Sequence, residues 1–208
     1  MNIIDISWPL SSEMTTYKNR CDVQINQTKS IAKDHVAEST LQMHAHTGTH
    51  VDAPAHFIEG GKTIDQIPLD FLCGPTLVID CTHIKEAIIA QDLQLHESLL
   101  KKNKRILLKT KNSLCAPTDQ FKYDFVYLEK TGAQFLVDCG IKTVGIDYLG
   151  IERNQPNHPT HTLFLQKGII IEGLRLAQVS AGIYNLVCLP LLIQNADGSP
   201  ARAVLFKT

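Results

Sequence analysis

Residues 46–56 read His-Thr-Gly-Thr-His-Val-Asp-Ala-Pro-Ala-His and gather three histidines and a carboxylate in eleven positions. The whole chain has 9 histidines in 208 residues, so a window of this length would hold about 0.5 by composition alone. Neutral imidazole and carboxylate are ligands that suit a divalent metal such as zinc, and imidazole also exchanges protons near neutral pH. The segment is therefore a candidate metal site with a proton carrier beside it.

The spacing of these side chains restricts the conformation of the segment. The candidates stand at even positions, 46, 50, 52 and 56, so an extended chain would direct all of them to one face. A helix is disfavoured by Gly48, Pro54 and the β-branched residues between them. A straight strand would separate His46 from His56 by about 33 Å, whereas ligands lie about 2.0–2.2 Å from a metal. We therefore predict an extended segment that bends at Gly48 and Pro54.

Composition and charge exclude several classes of function. The chain has 20 Lys and Arg against 21 Asp and Glu, so it has no strong field that would attract nucleic acid. No basic leader precedes the N-terminal apolar run, which Asp5 interrupts. The longest apolar stretch, 183–193, is interrupted by Asn185 and Pro190 and is too short to span a membrane. We expect a soluble, cytoplasmic protein with no nucleic-acid or membrane partner.

The cysteines form no Cys-x-x-Cys pair, which excludes the common zinc-finger spacings and a dense disulfide framework. We predict six free thiols without a catalytic role, namely Cys21, Cys73, Cys81, Cys115, Cys139 and Cys188. A thiol nucleophile would need a neighbouring histidine, and the sequence leaves that possibility open for Cys73 and Cys81.

Hydrophobic periodicity predicts strands that alternate with helices. The predicted strands are residues 3–7, 22–28, 40–45, 76–81, 105–110, 142–147, 169–172, 182–193 and 201–206. The predicted helices are 91–102, 131–139 and 161–168, with a polar loop at 148–159 and a turn at 195–200. We therefore predict an α/β fold in a single domain, residues 1–208, with a mixed, barrel-like sheet at its core and flanking helices.

Several of these segments resemble the metal-dependent cyclase family, and in particular its bacterial kynurenine formamidases. The most specific match is the signature His46-x-Gly48-Thr49-His50-x-Asp52-x-Pro54-x-His56. Weaker matches occur in the family's order at 5–11 (DISWPLS), 145–147 (GID), 171–174 (IEGL), 189–191 (LPL) and 197–203 (DGSPARA). The resemblance covers nearly the whole chain.

The resemblance implies a site for two divalent metals, for which zinc is expected and manganese is compatible. The implied ligands are His46, His50 and Asp52 in the signature, and His161 and Glu172 further along the chain. Asp52 would contact both metals, and His56 would be the catalytic proton donor and acceptor. Two alternatives remain open: His56 as a third ligand, and His158 as the ligand in place of His161.

Each assignment also has a purely structural alternative. His46 and His50 could be turn or core histidines, Asp52 could cap a helix that begins near Pro54, and His161 could be a surface residue. Glu172 is supported by its own position, because a carboxylate that ends an apolar run is costly unless it is paired or metal-bound. The other histidines have no supporting pattern and are expected to be structural or exposed: His35, His44, His83 and His96.

One segment departs from the formamidases, which usually have a substrate-contacting tryptophan followed by Pro-Gly-Asp where this chain has Tyr17-Lys18-Asn19-Arg20. We expect Tyr17 to bind substrate, because its ring can stack on an aryl group. Lys18 and Arg20 would change the rim of the pocket. The departure leaves the metal chemistry untouched and the substrate less determined.

The resemblance implies hydrolysis of N-formyl-L-kynurenine to L-kynurenine and formate, through water activated by two metals with His56 as acid and base. A cyclic amide, as in the isatin hydrolases of the same family, is the alternative substrate. From a different class, the chain could bind metal without catalysis, although a structural metal site needs no proton carrier such as His56. The long apolar strand at 182–193 and the resemblance together predict a homodimer or larger homo-oligomer.

Overall fold

The computed structural model describes residues 2–20 and 23–207. Cys21, one of the predicted free thiols, and Asp22, the first residue of a predicted strand, lie outside the described residues. In chain order the strands are β1 (Ile3–Asp5), β2 (Gln24–Lys29), β3 (Glu38–Gln42), β4 (His50–Asp52), β5 (Cys73–Asp80), β6 (Ala87–Ile88), β7 (Arg105–Lys109), β8 (Tyr127–Leu128), β9 (Thr143–Ile146), β10 (Ile169–Glu172), β11 (Gly182–Pro190) and β12 (Gly198–Phe206).

Six α-helices occur in the described part of the chain. They are α1 (Ile31–Asp34), α2 (Leu69–Leu72), α3 (Ala90–Gln94), α4 (Glu97–Leu100), α5 (Lys130–Asp138) and α6 (Pro159–Leu165). Short 3₁₀ turns lie at Tyr17–Asn19, Pro54–His56, Ile64–Gln66 and Lys111–Leu114. None of the helices in residues 2–20 and 23–207 has the length and apolar character needed to cross a bilayer.

Seven strands close into a barrel-like sheet in the order β12, β11, β5, β7, β9, β10 and β4, with β4 pairing back to β12. The strands β5, β7, β9 and β10 are parallel, and the remaining pairings are antiparallel. β1 pairs antiparallel with the C-terminal part of β12, residues 204–206. The mixed, barrel-like sheet with flanking helices confirms the predicted α/β fold.

The parallel strands β7, β9 and β10 are buried on both sides, which explains why the parallel strands are continuous apolar runs in the sequence. In β7, Ile106 and Leu108 belong to the cluster that packs under α3, α4, α5 and α6. Leu107, between them, belongs to the cluster inside the barrel, together with Val78 and Ile171. Helices therefore cover one face of the sheet and the barrel interior covers the other.

The signature segment bends at the two residues that the sequence indicated. Gly48 has a positive φ of 60°, a conformation that favours glycine, and a side chain there would meet Leu10 and Met14. Pro54 opens the 3₁₀ turn that ends at His56. Between the two bends only β4 is extended, so the metal-site candidates lie on a short strand and on the turns at both of its ends.

Several predicted boundaries were wrong. The strand predicted at 40–45 is β3, which ends at Gln42, and the strand predicted at 182–193 is β11, which ends at Pro190. The helix predicted at 91–102 is two helices, α3 and α4, separated by Leu95 and His96. Leu95 is 88% exposed, so it does not continue the packed face of the helix. The helix predicted at 161–168 begins earlier, at Pro159, because proline is well suited to the first turn of a helix. The turn predicted at 195–200 is shorter because residues 198–200 pair with β4.

Candidate metal centre

The candidate metal site is built around β4, which carries His50 and Asp52. This strand lies between β10 and β12, and its register sets Glu172 opposite His50 and Ile170 opposite Asp52. On its other edge, Gly198 is opposite Asp52. A cross-strand neighbour in an antiparallel pair lies within reach of its partner's side chain, so this register brings the signature and the distant Glu172 together.

Two carboxylates lie at the floor of the site, and both are almost completely buried. Asp52 is 1% exposed and Glu172 is 5% exposed. His50 bridges them: its Nε2 lies 3.3 Å from Asp52 Oδ1 and 3.5 Å from Glu172 Oε2. Two ionised carboxylates this close in a buried site require cationic partners.

The tautomer of His50 is set by the bend at Gly48. His50 Nδ1 lies 2.9 Å from the carbonyl oxygen of Gly48, which can only accept a hydrogen bond. Nδ1 therefore carries a proton and donates it, and Nε2 is the atom available to a ligand. The glycine turn thus supplies both the chain reversal and the orientation of the imidazole.

His46 and His56 stack against each other at the outer side of the site, with ring centroids 3.9 Å apart. His46 contacts Asp52 Oδ1 through Nδ1 at 2.7 Å and Asp197 Oδ2 through Nε2 at 2.8 Å. His56 Nδ1 lies 3.2 Å from the same oxygen of Asp197. Asp197 therefore orients both rings, and it is a site residue that the sequence analysis did not single out.

His161 on α6 approaches the floor from the helical side. Its Nε2 lies 3.3 Å from Glu172 Oε1 and 3.8 Å from Asp52 Oδ2. His158 does not reach these carboxylates among the contacts of the described residues; its Nδ1 lies 3.2 Å from Glu152 instead, and its side chain is 58% exposed. Of the two histidines that the sequence left as alternatives, His161 is the one that faces Asp52 and Glu172.

The buried groups have the charges that a cation site requires. Burial opposes a charge on His50, yet hydrogen bonds to Asp52 and Glu172 raise the pKa of this imidazole to about 10. Burial also opposes ionisation of Asp52, but hydrogen bonds from His46 and His50 hold its pKa well below the usual range. Burial and the charge of Asp52 oppose ionisation of Glu172, whereas His161 and His50 lower its pKa to about 2. Protons on imidazoles thus balance the carboxylates, and divalent cations can replace those protons.

Metal uptake is therefore expected to release protons. Burial opposes a charge on His161, but the carboxylates of Glu152 and Glu172 raise its pKa to about 10. The pKa of His50 is also about 10, raised by Asp52 and Glu172, so both imidazoles are protonated at pH 8 without metal. Ligation needs neutral imidazole, so about two protons per chain should leave on binding, and affinity should rise with pH up to about 10. Calorimetric titration of metal into chelator-treated protein, in buffers of different ionisation enthalpy, measures this release. No release at pH 8 would contradict the assignment of both histidines.

Three combinations of side chains in the described residues could each hold an ion, with ligand atoms within 4.8 Å of one another. They are His46, Asp52 and His56; His50, Asp52 and Glu172; and Glu152, His158 and His161. All five predicted metal ligands are brought together at the end of the barrel where β4 lies. Because His56 belongs to the first combination, its alternative role as a ligand stays open.

A cavity of about 360 Å³ leads from the surface to these side chains. Tyr17, the predicted substrate-binding residue, lines it, as do Lys18 and Arg20. The Tyr17 ring is half-buried and packs edge-on against Phe121, with centroids 5.1 Å apart. Lys18 Nζ and Arg20 Cζ lie 5.1 and 5.8 Å from the Tyr17 ring centroid. The mouth of the cavity is therefore aromatic and cationic, whereas its floor carries the carboxylates.

The remaining predictions concern thiols and other histidines. Five cysteines are free, as predicted: Cys73, Cys81, Cys115, Cys139 and Cys188. None of the ion-binding combinations in the described residues includes a cysteine, and burial raises the pKa of the Cys81 thiol to about 12, which is unsuited to a nucleophile. His35 and His83 are exposed, and His96 is half-buried. His44 is exposed at the rim of the cavity.

Comparison with known proteins identifies relatives along nearly the whole chain. The family profile described as putative cyclase matches residues 4–153. The kynurenine formamidase of Salinibacter ruber (strain DSM 13855 / M31) is 33% identical over 210 residues, which cover 99% of this chain and 97% of the relative. The chain also spans about two-thirds of the length of several plant cyclase-like proteins that it matches.

Solved structures agree with this relationship. A protein described as a potential metal-dependent hydrolase with cyclase activity is 40% identical, with a TM-score of 0.86 over 98% of this chain and 96% of that protein. An isatin hydrolase bound to the product analogue thioisatinate has a TM-score of 0.84 over 98% of this chain and 91% of that protein. At 20% identity, the second similarity supports the fold alone.

Proposed function

Since the chain belongs to the putative cyclase family and is a hydrolytic enzyme, we propose that it hydrolyses N-formyl-L-kynurenine to L-kynurenine and formate. The observation that carries the proposal is the convergence of the five predicted ligands: His46, His50, His161 and Glu172 line one cavity, and Asp52 is buried against the three histidines. Full-length similarity to bacterial formamidases supports this substrate over other amides. We further propose that the five side chains hold two divalent ions, and that the ions are zinc.

Bound ions would supply Lewis-acid polarisation of the amide carbonyl and would lower the pKa of water to about 7. The residues of the chain carry out the remaining steps. Attack of water on the formyl carbon forms a C–O bond, and the C–N bond then breaks. An aryl amine leaves readily only after its nitrogen is protonated, so His56 takes a proton from the attacking water and delivers it to that nitrogen. Asp197 orients His56 by accepting a hydrogen bond from Nδ1, which leaves Nε2 to exchange the proton.

The mouth of the cavity supports an aryl substrate with an anionic group. Tyr17 offers a ring face for aromatic stacking, and Lys18 and Arg20 beside it can pair with the carboxylate of the amino acid. Tyr17 would then take the role of the substrate-contacting tryptophan that the formamidases usually have at this position. We propose Tyr17 as a substrate-binding residue on this basis.

Three substrates separate the proposed function from its alternatives. Zinc-loaded protein is expected to hydrolyse N-formyl-L-kynurenine faster than an aryl formamide that lacks the amino acid, and to leave isatin intact. Formate release and the absorbance of the product measure the three rates. If isatin is opened while both formamides stay intact, the substrate is a cyclic amide and the proposed substrate is wrong. No turnover of any of the three, with metal bound, would favour a metal-binding protein without catalysis.

We also propose that the chain functions as a homodimer or a larger homo-oligomer. Every residue of the hairpin β2–β3 is exposed, including Ile25 and Leu41, although an isolated two-stranded hairpin is only marginally stable in water. Leu191 and Leu192, just after β11, are 60% and 81% exposed. A second copy would cover such apolar side chains. Light scattering is expected to give at least twice the chain mass of 23.1 kDa, and a stable monomer would contradict the proposal.

A further inference from the structure

A buried glutamate lies directly behind His161, on the side away from the carboxylates of the site. The Glu152 side chain is 1% exposed. Its Oε2 accepts a hydrogen bond of 2.8 Å from the backbone N–H of His161 and lies 3.2 Å from Nδ1 of the same residue. Its Oε1 lies 3.2 Å from Nδ1 of the exposed His158. Glu152 thus touches both the main chain and the ring of one proposed metal ligand.

Two polar atoms at this contact have unused hydrogen-bonding capacity. Among the described residues, neither Glu152 Oε1 nor His161 Nδ1 has a partner with hydrogen-bond geometry, and both atoms are buried. Buried polar atoms are almost always paired, because an unpaired one loses its hydration without compensation. The carboxylate of Glu152 is an acceptor within 3.2 Å of His161 Nδ1, so a small rotation of the imidazole ring would satisfy Nδ1.

We propose that Glu152 is a positioning residue for His161. It accepts the Nδ1–H of the imidazole, fixes the tautomer, and leaves Nε2, which lies 3.3 Å from Glu172 Oε1, as the nitrogen available to a metal ion. A carboxylate that orients a metal-ligating histidine in this way raises the basicity of the ligand and removes its rotational freedom. The inference rests on the metal site of the proposed function, and it is independent of the substrate.

The position of Glu152 in the chain explains why it can fix the ring so closely. Ile151, the preceding residue, donates its backbone N–H to Glu172 Oε1 at 2.6 Å. The loop that carries Glu152 is therefore attached to Glu172 on one side and to the start of α6 on the other. Substitution of Glu152 is expected to alter the relative placement of His161 and Glu172, the two proposed ligands outside the signature.

Metal affinity tests the proposal without any substrate. Zinc is titrated into chelator-treated wild type and Glu152→Gln in competition with a chromophoric chelator. We expect Glu152→Gln to bind the zinc ion that His161 would hold about 10–100-fold less tightly and to change the visible spectrum of the cobalt-substituted protein. Asp147→Asn is the matched control, because Asp147 is also a buried carboxylate but bonds to Thr110 and Ser113. Unchanged affinity and cobalt spectrum in folded Glu152→Gln would overturn the proposal.

A measurement on the wild type covers the case in which Glu152→Gln does not fold. Nitrogen NMR of the zinc-loaded protein, labelled at histidine, is expected to show a proton on Nδ1 of His161, and an unprotonated Nδ1 would overturn the proposal. A further zinc equivalent that disappears in His158→Ala would also overturn it, because Glu152, His158 and His161 would then form a cation site of their own.

If the wild type binds metal but leaves N-formyl-L-kynurenine intact, only the proposed substrate fails. If the wild type binds no metal, both proposals fail.

Discussion

His56→Ala is expected to lose roughly 10²–10⁴-fold in turnover and to retain its metal. The side chain of His56 is half-buried in the cavity, stacks on His46 and contacts Asp197 rather than Glu172. Burial lowers the pKa of His56 below its usual value, so the imidazole is neutral at pH 7 and can accept a proton first. With zinc kept saturating, activity of the wild type should accordingly fall only at a pH below the usual imidazole pKa of about 6.5, and the residual activity of the variant should lack this dependence.

His50→Ala is the comparison that distinguishes loss of a metal ligand from loss of a proton carrier. His50 Nε2 faces both buried carboxylates, so its removal should cost metal and turnover together. His83→Ala, a substitution of an exposed histidine in the turn after β5, should change neither. Elemental analysis and the rate of formate release are measured on the same preparations. Equal metal loss in His56→Ala and His50→Ala would reassign His56 as a ligand, together with His46 and Asp52.

Much of the site could be predicted because its residues lie in one short segment. Even spacing and two residues that favour bends were enough to predict that His46 and His56 approach each other, and their rings do stack. The apolar runs 76–81, 105–110 and 142–147 correspond to β5, β7 and β9. A parallel strand that is buried on both faces is continuously apolar, so its local sequence is sufficient to identify it.

The parts that could not be predicted depend on contacts between distant residues. Asp197 meets His46 across 151 positions of the chain, and no local periodicity marks its role. Glu152 lies in a polar loop whose composition resembles that of any surface connection, yet its side chain is buried against α6. The start of β12 was predicted too late for the same reason, because residues 198–200 are extended only through their pairing with β4.

Asp52→Asn is expected to have the largest effect of any single substitution, because its carboxylate is shared between two ion-binding combinations. Oδ1 contacts His46 at 2.7 Å and His50 at 3.3 Å, and Oδ2 lies 3.8 Å from His161. The amide has nearly the same shape but carries no charge, so both ions of the proposed site would lose a common anionic ligand. Metal ions contribute several kcal/mol of transition-state stabilisation, so turnover should fall by at least about 10³-fold.

The measurement is the metal content of protein purified without chelator and then supplemented with zinc. The wild type should hold close to two equivalents per chain, because five ligand candidates are too many for one tetrahedral ion, and Asp52→Asn should hold almost none. Asp147→Asn again serves as the control, since it replaces a buried carboxylate outside the ion-binding combinations. A wild type with less than about one equivalent would exclude the two-metal site. Asp52→Asn with an unchanged metal content would remove Asp52 from the ligands and shift the site toward Glu172, His50 and His161.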